Sequence, residues 1–214
     1  MKRRTFVAGA SVSGLMALSG CLGVIGMDEH TSTPAGVAAT AREETGYEQT
    51  NVDEVVVEET VGTDALSEEV VVINHLTEHE KAVGVGPLEQ EAAVFVVLST
   101  PQIGLAGQQF NPVEEMSASE LVDLLEDDYD DISNVSLEEE SSITILEQST
   151  TVSRFSADAV FSGFDLEVDL HVSEAVETDD DLVVTIGVYP QEVRAQEEEN
   201  VHALMENVTA SIEE

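Results

Sequence analysis

Residues 164–173 read FDLEVDLHVS and show the clearest alternation of apolar and polar residues in the chain. Side chains point alternately to the two faces of a β-strand, so a period of two predicts one face in the core and one in solvent. The predicted core positions are Phe164, Leu166, Val168, Leu170 and Val172. The predicted solvent positions are Asp165, Glu167, Asp169, His171 and Ser173.

The segments beside this strand predict further strands. Ser162-Gly163 has the composition of a two-residue hairpin turn, which would pair residues 164–173 with a strand that includes residues 159–161. Residues 182–189 form another apolar run, which stops at Pro190. Residues 141–155 predict one or two more strands.

The earlier part of the chain predicts three strands and a helix. Residues 52–60 and 70–74 are rich in Val, which favours strands. Residues 92–98 are continuously apolar, which is typical of a central strand covered on both faces. Ser-Ala-Ser-Glu at 117–120 is a capping box and predicts a helix that runs to about residue 126.

The end of the chain predicts a second helix. Val201, Leu204, Met205, Val208 and Ile212 recur at helical spacing and would form one apolar face. A series of strands with one helix in the middle and one at the end is typical of an α+β fold. We therefore predict a single α+β domain over residues 51–214, mainly an antiparallel β-sheet packed with a middle helix and a C-terminal amphipathic helix.

The first twenty residues carry an export signal. Lys2, Arg3 and Arg4 precede an uncharged run rich in Gly, Ala and Ser, which is the pattern of a secretory signal peptide. The Arg3-Arg4 pair resembles the twin-arginine type, which exports folded proteins. Leu-Ser-Gly-Cys at 18–21 resembles a lipobox, in which the chain is cut before the Cys and its thiol receives a lipid. Residues 1–20 are predicted to be the signal peptide.

Cys21 is the only cysteine in the chain, and lipidation explains a lone Cys in an exported protein. The alternative is an uncleaved membrane anchor, because residues 6–27 are uncharged and about 20 apolar residues span a bilayer. Residues 21–50 contain Gly, Thr, Ala and Pro with little apolar periodicity. They are predicted to be the lipidated Cys and a flexible tether.

The charge of the mature chain is extreme. All 45 acidic residues follow Cys21, and only Arg42, Lys81, Arg154 and Arg194 oppose them, so the net charge is −41. Molar salt reduces the screening length to about 3 Å, which makes such a charge tolerable in a folded protein. The composition predicts a halophile, and the lack of a basic cluster excludes nucleic acid as a partner.

One sequence string has the residue types of a metal site. His75, Glu78 and His79 form a His-x-x-Glu-His string, which on a helix would place two imidazoles on one face for zinc and supply a Glu base. The string follows the strand-like residues 70–73, and residues four apart on a strand are separated by about 13 Å. We therefore predict no metal and no cofactor, and keep a metal-assisted hydrolase as the alternative.

Other polar motifs are weaker. The acidic runs 127–131 and 179–181 lack the spaced ligands and central Gly of a helix-loop-helix calcium loop, so they are interpreted as solvated loops. Asn134 and Asn207 each begin an Asn-x-Ser/Thr sequon. Asn134, in a predicted loop, is the better glycan acceptor because Asn207 falls in the predicted helix.

A resemblance covers most of the chain. Residues 161–208, which include Val-Tyr-Pro at 188–190 and the acidic segment before the last helix, resemble an uncharacterised family of haloarchaeal lipoproteins. The resemblance implies an archaeal halophile and a lipid-anchored location on the exterior of the cell membrane. It implies no reaction and no site residues.

These observations predict a non-enzymatic module that is tethered to the surface and binds an envelope protein or supports the envelope. The membrane is a partner through the lipid on Cys21. The sequence contains no combination of nucleophile, base and anion-stabilising groups that would define an active site.

Overall fold

The computed structural model describes residues 27–63, 66–85, 88–102, 104–105, 108–109, 118, 132–161 and 164–212. Seven strands dominate it: β3 (Glu48–Thr63), β4 (Leu66–Val85), β5 (Leu88–Pro101), β8 (Ile132–Ile145), β9 (Gln148–Phe161), β10 (Phe164–Ser173) and β12 (Asp181–Pro190). The short strands are β1 (Met27–Thr31), β2 (Gly36–Val37), β6 (Gly104–Leu105), β7 (Gln108–Gln109), β11 (Val176–Glu177) and β13 (Val208–Thr209). The helices are α1 (Ala39–Thr45) and α2 (Arg194–Glu206), and a 3₁₀ turn over Gln191–Val193 leads into α2.

The large strands form one mixed sheet, in the order β3-β4-β5-β12-β10-β9-β8. All of these neighbours are antiparallel, while β1 pairs with β4 in parallel through Met27↔Glu69. The predicted α+β class with a mainly antiparallel sheet is confirmed in outline. The central position of β5 and the β9–β10 hairpin, joined at Phe161↔Phe164, are also as predicted.

The alternation in β10 predicted the exposure of its polar face correctly for only some of the residues. Asp165 and Glu167 are exposed, but Asp169, His171 and Ser173 are fully buried on the same face of the sheet. Arg194 and His202 of α2 contact Asp169 and His171 on this face, and both faces of β10 are buried at its C-terminal end. The prediction of a solvent face is wrong for these three residues, because buried polar groups satisfied by partners look like surface residues in a sequence.

The predicted tether over residues 21–50 is wrong for its described part. Residues 27–50 contain β1, β2, α1 and the start of β3. Ala35, Val37, Ala41 and Tyr47 are buried in the same core as α2, so this segment forms part of the fold. The irregular spacing of its few apolar residues concealed this, because Val37 and Ala41 lie in different elements and Ala35 and Tyr47 lie in the connections between elements.

The C-terminal helix ends earlier than predicted. Val201, Leu204 and Met205 are buried on α2, but the helix ends at Glu206. Val208 belongs to β13, which pairs with β2 through Val208↔Val37. The predicted middle helix lies outside the described residues except for Ala118, which is buried against the other face of the sheet. No helix within the described segments is long and apolar enough to cross a membrane.

Candidate functional site

Three of the predicted functional residues, Arg3, Arg4 and Cys21, lie outside the described residues. Asn134 lies on β8 beside a register shift and is exposed, with φ at 56°. Its side-chain amide donates to Asp158 at 2.8 Å. Asn207 is also exposed, at the end of α2. Both sequons therefore present their Asn at the surface.

The His75-x-x-Glu78-His79 string lies inside β4. His75 Nδ1 is 3.0 Å from Ser32 Oγ, and His79 Nδ1 is 3.2 Å from the Phe95 carbonyl. The two imidazoles point to the same face about 13 Å apart, and Glu78 alternates to the opposite face. No group of three or more His, Cys, Asp or Glu residues within the described segments is placed to hold a metal ion. The arrangement that the hydrolase alternative requires is therefore not assembled.

Ser32, His75 and Glu54 form a row that the sequence did not predict. Glu54 lies 3.8 Å from His75 Nε2, on the side opposite Ser32. However, Ser32 Oγ donates to the Ser99 carbonyl at 2.9 Å, and the residue is only 3% exposed. A substrate carbonyl cannot reach this hydroxyl, so the row joins the N-terminal segment to the sheet.

A second buried cluster surrounds Glu197 on α2. Lys81 donates to its carboxylate at 2.7 Å, and the Tyr47 hydroxyl donates at 3.1 Å. Burial and the neighbouring Glu197 raise the pKa of Tyr47 above its ordinary range. The cluster is internally satisfied and joins α2 and β4 to the connection between α1 and β3.

The third cluster joins the first residue of α2 to β9 and β10. Arg194 binds both oxygens of the buried Asp169, and Arg154 Nη1 lies 3.9 Å from the same carboxylate. Arg154 also donates to Glu139 at 3.1 Å, and its Nε lies 3.8 Å from Glu198. Two of the four basic residues that follow Cys21 therefore meet at one carboxylate.

His171 lies next to this cluster, opposite Arg154 in the β9–β10 pairing. Its Nε2 is 2.7 Å from the Tyr189 hydroxyl, and its ring meets the His202 ring edge-on at 5.3 Å between centroids. Burial lowers the pKa of His171 to about 3, with smaller contributions from His202, Arg154 and Arg194. The imidazole is therefore neutral at neutral pH.

A cavity of about 200 Å³ opens beside His171, between α2 and strands β8 to β10. We call it the under-helix pocket. It is lined by Glu139, Ser141, Val152, Arg154, His171, Glu198 and His202. Two of its buried nitrogens, Arg154 Nε and His171 Nδ1, have no hydrogen-bond partner among the described residues. Sequence reasoning missed this site, because its members come from four separate elements without a shared motif.

Comparison with known proteins gives a family without a known activity. A family model described as a domain of unknown function, DUF6517, matches residues 34–209. The match covers almost the whole described domain, including α2 and the strands that line the under-helix pocket. No curated protein matches the chain.

Proposed function

The chain belongs to the DUF6517 family, and we propose that it is a lipid-anchored surface module of a halophile that binds a small ligand in the under-helix pocket. The single observation that carries the binding function is a pair of buried nitrogens, on residues that line the pocket, that have no hydrogen-bond partner among the described residues. Buried polar groups in proteins are nearly always hydrogen-bonded, either to the protein or to ordered water, so two such N–H groups on residues that line a cavity support an occupant of that cavity.

Binding fits this pocket better than acid–base catalysis does. A general base works best when its pKa lies near the working pH. His171 has a pKa near 3, and burial aided by Asp169 raises the pKa of Tyr189 above its ordinary range. Neither group exchanges a proton readily near neutral pH, and we therefore propose no reaction.

The proposed anchor places the domain close to the membrane. The motif at Arg3-Arg4 and the lone Cys at position 21 support export followed by lipidation. Met27 at the start of β1 is only six positions after Cys21, and an extended chain of that length spans about 20 Å. A lipidated Cys21 would thus hold the β1 edge of the sheet near the headgroups, on the outer side of the cell membrane.

An envelope protein is the proposed macromolecular partner, and strand β3 offers it a surface. Among the described strands β3 pairs with β4 alone, and Val55, Val56 and Val57 are 38–55% exposed. An exposed edge with apolar side chains can add a strand from a partner.

Affinity capture from native membranes in molar salt tests this surface. The wild-type protein should capture an envelope protein and the Val56→Lys variant should not, whereas the same yield from both would exclude this surface.

Two experiments test the proposed function. Cys21→Ser should abolish the lipid mass on the N-terminal peptide and release the protein or leave it uncleaved, whereas an unmodified Cys21 in the wild type would exclude the anchor.

Thermal unfolding of the protein in molar KCl, screened against neutral, anionic and cationic small molecules, tests the pocket. At least one compound should raise the midpoint of the wild type but not of Glu198→Ala, with Glu199→Ala on the same helix as the control. A screen without any such compound contradicts the binding function.

A further inference from the structure

We infer that the occupant of the under-helix pocket is a neutral polyhydroxyl compound of the size of one sugar ring. The inference rests on the proposed binding function and adds the chemical class of the ligand. It follows from the hydrogen-bonding state of the two unpartnered nitrogens, from the charges around them and from the size of the cavity.

Both unpartnered nitrogens are hydrogen-bond donors. Arg154 Nε always carries a proton. The Tyr189 hydroxyl keeps its proton because its pKa is raised, and His171 Nε2 is its only hydrogen-bond partner among the described residues. The hydroxyl therefore donates to Nε2, which places the imidazole proton of neutral His171 on Nδ1. Arg154 and His171 both line the pocket, so an occupant that pairs with these two N–H groups must supply oxygen acceptors.

The charges around the pocket disfavour an anion. Three carboxylates, Asp169, Glu139 and Glu198, lie within 4.0 Å of Arg154 nitrogens, and the only other cation among them is Arg194. With His171 neutral, these five groups carry a net charge of −1. A carboxylate or phosphate ligand would meet Glu139 and Glu198 in the pocket lining, and both arginines are already engaged by carboxylates.

A cation is disfavoured by the same geometry. Arg154 occupies the centre of the acidic groups, and the described residues contain no set of three ligands placed for a metal. A neutral ligand avoids both repulsions. Its hydroxyl oxygens accept from Arg154 Nε and His171 Nδ1, while its hydroxyl protons go to the carboxylates of Glu139 and Glu198, which are 62% and 38% exposed.

The size of the cavity limits the ligand. About 200 Å³ is smaller than the roughly 300 Å³ at which pockets for drug-sized ligands begin. It exceeds by several-fold the roughly 30 Å³ that one water occupies in the liquid. One sugar ring or a polyol of similar size fits this range, either as a free compound or as the end of a glycan.

Calorimetric titration of the full lipidated protein tests the inference, in molar KCl and in a detergent without a sugar headgroup. The probes are neutral monosaccharides and polyols, the uronic acids that replace one hydroxymethyl group by a carboxylate, and glycans that end in the same sugars. We expect a neutral sugar to bind and its uronic acid to bind about tenfold more weakly or worse. Glu198→Ala should weaken sugar binding by about tenfold or more, as expected for a lost hydrogen bond to a charged group, and Glu199→Ala should not.

The outcomes separate the two proposals. Binding of the free sugar, or of the glycan alone, supports the inference and identifies the source of the ligand. Binding of carboxylates or cations in place of neutral sugars overturns the inference but keeps the binding function. A pocket that holds only water, with no heat from any probe, overturns both.

Discussion

Asp165 and Asp169 lie four residues apart on the same face of β10, but only Asp165 reaches solvent. Asp169 is fully buried because Arg194, the first residue of α2, binds its carboxylate. The two residues are equivalent in the alternating sequence pattern. They differ in exposure because α2 lies over Asp169 and not over Asp165. The sequence of β10 alone does not say where α2 lies.

This difference gives a matched test. Asp169→Ala should lower the free energy of unfolding by about 3 kcal/mol or more, because it leaves Arg194 and Arg154 without their buried counter-ion. Asp165→Ala should change it by less than about 0.5 kcal/mol, as is usual for a surface residue. Urea denaturation in molar KCl measures both. Equal effects of the two substitutions would contradict the burial of Asp169 beneath α2.

At the level of elements, Gly187 on β12 determines how closely α2 approaches the sheet. A Cβ at this position would lie 2.6 Å from Val201 Cγ1 and 3.1 Å from Val201 Cγ2. Both Cγ atoms belong to a fully buried residue of α2. The helix therefore rests on a strand position that lacks a side chain.

Gly187→Ala should destabilise the protein by about 1–3 kcal/mol, the range for overpacking a core. Val201→Ala introduced on the Gly187→Ala background should recover part of this loss, since it removes both clashing atoms. Gly84→Ala on β4 is the control, because nothing lies within 4 Å of its added Cβ. Thermal unfolding in molar salt measures the set. If the double variant is no more stable than Gly187→Ala alone, the α2–β12 contact is not as described.

Most of the large strands were predictable from the sequence, but their covering layer was not. The Val-rich segments were recognisable because β-branched residues favour strands, whether or not they are buried. The alternation at 164–173 marked the apolar face of β10. Residues 27–50 cover the sheet through short elements with a few apolar contacts each, so they resembled a tether. The under-helix pocket was equally unpredictable, because Arg154, His171 and Glu198 meet only after β9, β10 and α2 are assembled.

For the whole molecule, the positions of the cations give a structural reason to expect that stability depends on salt. Lys81, Arg154 and Arg194 are all engaged in ion pairs next to α2, with Glu197, Glu139 and Asp169. Only Arg42 remains of the four cations that follow Cys21, and its Nε donates to the Val37 carbonyl. Most of the acidic residues therefore have no basic neighbour to offset their mutual repulsion.

Dialysis from molar KCl to about 0.1 M should unfold or expand the protein reversibly. The screening length rises from about 3 Å to about 10 Å over this range, and domains have only about 5–15 kcal/mol of stability to lose. Circular dichroism followed against salt concentration is the measurement. A thermal midpoint that stays constant between 0.1 M and 3 M would contradict adaptation to high salt as the reason for the charge.

A buried polar layer, with the under-helix pocket beside it, lies beneath α2. NMR titration of the His171 imidazole in molar KCl between pH 5.5 and 8 tests this claim most directly. Burial lowers its pKa to about 3, far below the ordinary 6.5, so the ring should remain neutral across the whole range. Its nitrogen shifts should show the proton on Nδ1. A ring that becomes protonated as the pH falls through about 6.5 would show that His171 is open to water, and the layer and its pocket would not exist as described.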